Sequence, residues 1–462
     1  MPGRIASSFR DPSGHVYEIG GRIFRTVREP GRLDFEFVRG TGYLESKVRS
    51  GQVLQAHVVP NETLADVAPD ACYVLEHPRL EFVSHPYEWS FGGLRAAALL
   101  TLDLHREALQ HDVSMSDASA YNVQFDGPHP VLIDYLSFRR YHDGELWAGH
   151  RQFCEQFLYP LLFTAHTGVP FNAMLRSHLS GIAASDLLAL LPPLRRLSPS
   201  VLLHVGLPAR VSRARSRSTA SAAEHLSHTK LPKTALLRML EAMHRWVGSL
   251  RPRGQRTAWQ TYADVNSYSE GERGEKARFV ADFVATTRPR TLWDLGCNTG
   301  DYSKVALEAG AGRVIGFETD QSALDAAFQR AEREKLRFLP LYQDVLNPSP
   351  DQGWRQGERK GLQARAEADA VLVLALIHHI AIANNVPLVE VVDWAVSLAP
   401  SGVIEFVPKE DPMAAALLAL RKDIFPDYTR ETFLAAMSER ATITGSREIT
   451  GTGRLLVTFR RK

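Results

Sequence analysis

The run Thr291-Leu-Trp-Asp-Leu295, followed at once by Gly296-Cys-Asn-Thr-Gly300, constrains this chain more than any other segment. A short apolar stretch gives way to a turn bounded by glycines, and helical periodicity resumes from Asp301 to Ala309. Strand, glycine turn and helix in that order let a nucleotide-like cofactor approach the backbone, because Gly296 and Gly300 have no Cβ to block a sharp turn. A second apolar strand, Arg313-Val-Ile-Gly-Phe317, ends in Glu318, an acid placed to accept both hydrogen bonds of a ribose diol. A third, Leu336 to Tyr342, runs into Asp344 and Val345, where a carboxylate is placed to accept from an adenine amino group.

A dinucleotide-binding domain shares the first two features but wants glycines spaced GxGxxG, whereas Gly296 and Gly300 are spaced GxxxG and preceded by Asp294. Asp294-Leu-Gly-Cys-Asn298-Thr-Gly300, then Glu318, then Asp344 resembles the motif series of class I methyltransferases. The resemblance implies a doubly wound α/β, Rossmann-like sheet of seven strands that closes on an antiparallel hairpin. It also implies S-adenosyl-L-methionine as cofactor, with Asp294, Gly296, Asn298, Gly300, Glu318, Asp344 and Val345 as its contacts. The fourth, fifth and last strands are expected at Ala370–Leu374, Gly402–Val407 and Arg454–Arg460. Upstream, Trp259, Tyr262, Tyr268 and Lys276 read either as a lid over the methionine end or as packing for a leading helix.

In this fold the acceptor lies beyond the carboxyl ends of strands four and five. Strand four runs into His378 and His379, which read either as general bases or as the wall of a pocket. Strand five ends in Glu405, Lys409 and Asp411, read as a substrate-contacting rim or as an ion-paired loop cap, with Lys409 facing the acceptor alongside the histidines. No Asn-Pro-Pro-Tyr motif follows strand four and no Pro-Cys nucleophile is present, so an oxygen or nitrogen acceptor of unknown identity remains.

The first half of the chain has a different character. Residues 15–27 read as a hairpin turning at Gly20-Gly21, and Leu94–Leu109 as a long helix. Asp117, then Asn122, then Asp134 closing the apolar strand Val131-Leu-Ile, resembles the catalytic and metal-binding loops of protein kinases. That resemblance implies a degenerate kinase-like α+β domain, with Asp117, Asn122 and Asp134 as possible nucleotide or metal contacts. The departures are a missing glycine-rich loop, Arg25 or Lys47 in place of a Val-Ala-Ile-Lys lysine, and Tyr-Leu rather than Phe-Gly after Asp134. Turn chemistry at Asp117 and Asn122 is the plain alternative.

Between the halves, Arg210, Arg213, Arg215, Arg217, Lys230 and Lys233 face the single acid Glu224, and no aromatic residue interleaves them. A solvated linker suits this stretch better than a nucleic-acid arm. The expected division is a domain over 1–205, a basic linker and connecting helix over 206–255, and a methyltransferase domain over 256–462. Taken whole, the chain resembles a bacterial group of long methyltransferases whose members are sometimes named for host-specific nodulation, on motifs such as Pro86-Tyr-Glu-Trp89, Arg151-Gln-Phe-Cys154 and Phe406-Val-Pro-Lys409.

Bulk properties exclude little further. A net charge of +2 gives no global argument for nucleic acid or membrane, and the three cysteines are isolated in sequence with no CxxC pair, so neither a disulfide framework nor a cysteine-based metal site is expected. The first residues lack an apolar secretory stretch, and the longest apolar run, Ala370 to Ala383, is broken by His378 and His379, which makes cytoplasmic the default.

Overall fold

The computed structural model describes residues 3–215, 230–253, 270–419 and 422–462. The chain divides into two compact units: Met1–Phe125, His129–Gln255 and Asp351–Arg359 form one, and Asp126–Pro128, Arg256–Pro350 and Lys360–Lys462 the other.

The N-terminal unit opens with strands β1 (Val16–Ile19), β2 (Arg22–Val27), β3 (His57–Val59) and β4 (Tyr73–His77), joined in an antiparallel sheet of order β1-β2-β4-β3. Ile19 pairs with Arg22 across Gly20 and Gly21, whose φ values of 58° and 77° are those a two-residue turn of the primed type demands. Helices α1 (Glu29–Gly40) and α2 (Tyr43–Arg49) separate β2 from β3. Helix α3 (Phe91–Ala108) starts at Ser90, whose hydroxyl accepts from the Gly93 N–H at 2.9 Å. Two short antiparallel ladders follow, β5 (Val113–Met115) with β8 (Phe138–Arg140), and β6 (Val123–Asp126) with β7 (His129–Leu132).

The region 206–255 does not act as a free connector where it is described. Helix α4 (Lys233–Ser249) packs along α3 and buries Leu236, Leu240, Met243 and Val247, a stripe at helical spacing. It and the helix Leu207–Arg215 belong to the N-terminal unit. Arg217 and most of the basic stretch lie outside the described residues. So do Trp259, Tyr262 and Tyr268 of the expected lid, and of that set only Lys276 is described.

The C-terminal unit is one seven-stranded sheet. Strands β9 (Thr291–Leu295), β10 (Arg313–Glu318), β11 (Phe338–Tyr342), β12 (Ala370–Val373), β13 (Ser401–Phe406), β14 (Ala441–Glu448) and β15 (Leu455–Arg461) lie in the order β11-β10-β9-β12-β13-β15-β14. The first five run parallel, and β15 is antiparallel to both β13 and β14. Helices α5 (Glu270–Thr287), α6 (Asp301–Glu308), α7 (Gln321–Glu334), α8 (Leu388–Ser397) and α9 (Arg430–Arg440) intervene. All residues of β9 and β12 are buried, as expected of strands covered on both faces, whereas edge strand β14 alternates towards solvent. Phe279, Val280, Phe283 and Val284 of α5 join Leu292, Val314, Leu372, Val403 and Leu456 of the sheet in one core cluster. The expected seven strands and closing hairpin are present, with bounds shifted by one or two residues.

Among the described residues, no helix is long and apolar enough to cross a membrane.

Candidate functional site

The parallel register brings four strand ends together. Leu295 pairs with Phe317 on one side and Val373 on the other, and Glu318 pairs with Tyr342, so the exits of β9, β10, β11 and β12 are adjacent. The chain leaves β9 through Gly296, whose N–H donates to the Phe317 carbonyl at 2.9 Å. Gly296 has φ 73°, Asn298 φ 49° and Gly300 φ 82°, three left-handed residues within five positions. At Gly300 a Cβ would come within 2.5 Å of the Phe338 ring, so both the turn and the packing require glycine there.

Glu318 folds back onto this bend. Its Oε2 accepts from the Asn298 N–H at 2.9 Å, and its Oε1 accepts from the Thr319 and Asp320 N–H groups at 2.7 and 2.8 Å. Oε1 also accepts from the Thr319 hydroxyl at 3.4 Å, so the capacity left for an incoming hydroxyl is the second lone pair of Oε2. Burial pushes the Glu318 carboxyl up from its ordinary value, while the three amide bonds pull it down. Asp344 stands two residues beyond Tyr342, with its Oδ1 accepting from the Leu346 N–H at 2.9 Å, and both Asp344 and Val345 are half-buried. Asp294 has a different setting. It is buried, its Oδ2 accepts from the Ser303 hydroxyl at 2.6 Å, and burial pushes its carboxyl up to about 6. It ties β9 to α6 beneath the bend.

On the other side of the bend, Leu376 lies 3.6 Å from where a Cβ on Gly296 would stand, so the exit of β12 faces the glycine turn. Ala375 there adopts φ 50°, a strained setting for a residue with a Cβ, and its N–H donates to Glu405 Oε2 at 2.8 Å. His378 follows, 1% exposed, and neither of its ring nitrogens has a hydrogen-bond partner. Burial, helped by His379 and Lys276, holds it well below the usual histidine range, so the imidazole is neutral. The His379 ring lies 4.1 Å away between centroids, and burial lowers its pKa too.

The expected substrate rim needs correction. Glu405 is fully buried, and its carboxylate meets Lys276 Nζ at 2.5 Å and Arg454 Nη1 at 3.4 Å. Asp411 is also buried and accepts from Arg454 at 2.6 and 2.9 Å. These four charges form an interior network, because a buried carboxylate is tolerated only beside compensating cations. Lys276 thereby belongs to this network, with Nζ 4.7 Å from the Tyr302 ring centroid. Lys409 pairs with Asp423 at 2.8 Å and donates to the Phe425 carbonyl at 2.6 Å. What the motif reading missed is that Glu405 positions Ala375, and through it the histidine segment. The available signal was a lone acid inside the apolar strand Gly402–Val407.

In the N-terminal unit the three singled-out residues also converge. Asn122 Nδ2 donates to the Ser137 hydroxyl at 3.1 Å, and that hydroxyl donates to Asp134 Oδ2 at 3.2 Å. Asn122 also hydrogen-bonds Asp117, whose Oδ1 accepts from the Ser119 N–H at 3.0 Å. Burial, and then the neighbouring Asp134, push the Asp117 carboxyl up. Arg25, buried on β2, meets Asp134 Oδ1 at 3.2 Å and also pairs with Asp11, whereas Lys47 pairs with Glu107 of α3.

No protein-family model matches the chain. Nodulation protein NoeA of Rhizobium meliloti (strain 1021) is 44% identical over 461 residues, covering 100% of this chain and 96% of that protein. The chain belongs to the NoeA family. Among solved structures, the N-methyltransferase NodS from Bradyrhizobium japonicum WM9 is 15% identical, with 42% of this chain and 98% of that one covered at a TM-score of 0.31. The PH0226 protein from Pyrococcus horikoshii OT3 is 15% identical, with 44% and 97% covered at 0.32. At such scores these likenesses carry no argument, and the reading of this NoeA-family chain rests on its own residues.

Proposed function

We propose that the C-terminal unit transfers a methyl group from S-adenosyl-L-methionine to an oxygen or nitrogen acceptor. The observation that carries this reading is Glu318, held by backbone N–H groups against the left-handed bend at Gly296–Gly300, with Asp344 at the neighbouring strand tip. The residues fit such a cofactor. Neutral amide donors fix the Glu318 carboxylate without spending its charge, the glycines leave backbone exposed to close approach, and His378 offers two buried, unpartnered ring nitrogens nearby. When bound, the cofactor supplies a methyl group already made electrophilic by its sulfonium. The protein's part is to align the acceptor and exclude water.

In this reading Gly296, Asn298, Gly300, Glu318, Asp344 and Val345 hold the cofactor, and Asp294 fixes the bend from below. His378, neutral at ordinary pH, offers an unpartnered ring nitrogen that accepts a hydrogen bond from a hydroxyl or amine acceptor and orients it, and His379 walls the pocket. Lys409, engaged by Asp423, is not assigned a part in the chemistry.

Titration calorimetry with S-adenosylhomocysteine tests the reading. One equivalent binds the wild-type chain, and Glu318→Ala weakens binding by about 10- to 100-fold, the cost of losing a hydrogen bond to a charged group. An absence of heat with wild-type protein refutes it.

A second reading concerns the N-terminal unit, favoured by the convergence of Asp117, Asn122 and Asp134. It retains a kinase-like layout, with Arg25 supplying the positive charge at Asp134, and serves to recognise the acceptor rather than to transfer phosphate.

A further inference from the structure

The N-terminal unit gathers three metal-ligating side chains that neither constellation above uses. His150 opens the helical turn His150–Phe153, and Cys154 begins the wider π-helical turn Cys154–Leu158, so the two sit four residues apart on one helix face. His204 lies in a second π-helical turn, Leu202–Gly206, 54 residues beyond His150. Wide turns of this kind are frequent at functional sites, where a helix admits an extra residue and re-aims a side chain. His150 Nε2 stands 3.2 Å from His204 Nδ1 and 3.6 Å from Cys154 Sγ, and the three ligand atoms all lie within 4.8 Å of one another. Cys154 and His204 are buried and His150 is half-buried. The Tyr159 hydroxyl donates to the His204 carbonyl at 2.5 Å and so fixes that turn. The Trp147 and Trp246 rings flank the two histidines, at 5.8 and 6.0 Å between centroids.

Tetrahedral zinc, with bonds of about 2.05 Å to nitrogen and about 2.3 Å to sulfur, sets two ligand nitrogens about 3.3 Å apart and nitrogen from sulfur about 3.6 Å apart. The two separations from His150 match these values, and His204 Nδ1 and Cys154 Sγ lie within 4.8 Å of each other. We propose that His150, Cys154 and His204 bind one zinc-type divalent cation, with the fourth position left to a water or another small ligand. One thiolate and two imidazoles suit a borderline-soft ion and not magnesium or calcium. On binding, the Cys154 thiol releases its proton to solvent while the imidazoles enter neutral, so affinity rises with pH. The ion joins two helical segments distant in sequence. The expectation of no cysteine-based metal site rested on the lack of paired cysteines, but here one cysteine is completed by two histidines.

The experiment uses the full-length chain, prepared without affinity histidines, stripped with a chelator and titrated anaerobically with cobalt(II) alone. One equivalent is expected to give tetrahedral ligand-field bands and a thiolate-to-cobalt charge-transfer band, both displaced by zinc(II). Cys154→Ser removes the charge-transfer band, Cys72→Ser leaves it, and His204→Gln weakens binding by more than about tenfold, a floor set by losses at outer-sphere partners. No band from the wild-type chain, or a band that survives Cys154→Ser, overturns the proposal. X-ray absorption on the zinc-loaded wild-type chain needs no variant: a shell with one sulfur supports the site, and a shell without sulfur overturns it.

Discussion

At the tip of β10 the Glu318 carboxylate rests on three backbone N–H groups, whereas just beyond β7 the Asp134 carboxylate faces the Arg25 guanidinium. Both are acids at the exit of an apolar strand, and both belong to a constellation that suggests a nucleotide-like ligand. Their partners separate them. Amides orient a carboxylate and leave its charge and part of its hydrogen-bonding capacity for an incoming hydroxyl. A buried guanidinium neutralises it, and a cation or phosphate-bound metal must first displace that guanidinium. What an acid can do is set less by its place in a motif than by what already satisfies it.

The largest test of that distinction lies within the C-terminal unit, where Glu405 is satisfied by cations and Glu318 by amides. Glu405→Ala leaves Lys276 and Arg454 buried beside less negative charge than they need, and is expected to cost about 3–5 kcal/mol. Glu318→Ala returns its amide donors to the solvent side of the bend at about 1 kcal/mol. Urea unfolding of the two variants measures the gap. Equal destabilisation would show that Glu318 is a structural acid and would remove the contrast.

Smaller, and in the other direction along the chain, is the response to acid. In the N-terminal unit burial lowers His77 to about 4 and His105 to about 3, from 6.5. Both stay neutral in the fold while the unfolded chain takes up protons below pH 6.5, so the stability they contribute above that pH is lost as pH falls toward 4 and then 3. By pH 5 each costs about 2 kcal/mol, partly offset by the raised carboxyls of Asp117 and Glu155. In the C-terminal unit His378 acts in the same sense. Asp294 opposes it, because a carboxyl raised to about 6 contributes stability that is complete below 3.8 and lost as pH rises through 6. Hydrogen exchange at pH 7 and pH 5 should therefore show protection falling more in α3 and β4 than in β9. Uniform loss across both units would contradict the assignment.

What could be read from the sequence was local. The glycine bend and Glu318 at the tip of the second strand follow from periodicity and from residues that must adopt left-handed backbone, and they stand at the expected strand ends, whereas the seven strands and the closing hairpin were implied by the family resemblance. The interior charges could not be read that way, since Lys276 and Glu405 meet across 129 residues and nothing in either neighbourhood names the other. Glu405, Lys409 and Asp411 looked like one rim because they are close in sequence, yet burial sorts them into an ion network and a surface pair. The same blindness hid His150, Cys154 and His204. It also hid the segment Asp351–Arg359, which the chain sends from its C-terminal half into the N-terminal unit, where Arg359 lies 4.1 Å over the Tyr121 ring.

The smallest expected effect is none, and it bears most directly on the contrast between Asp134 and Glu318. Magnesium wants several oxygen ligands in near-octahedral array and carboxylates that keep their charge. Asp134 gives its charge to Arg25, Asn122 turns its amide N–H toward Ser137, and burial favours the neutral form of Asp117. ATP with magnesium is therefore expected to leave the thermal midpoint of the wild-type chain unmoved. Arg25→Met removes the guanidinium and restores an uncompensated acid. A magnesium-dependent shift confined to that variant would show that the partner alone decides between the two sites. A shift in the wild-type chain that Asp134→Ala abolishes would break the comparison, because an acid already paired would then be binding metal, and the N-terminal unit would have nucleotide chemistry of its own.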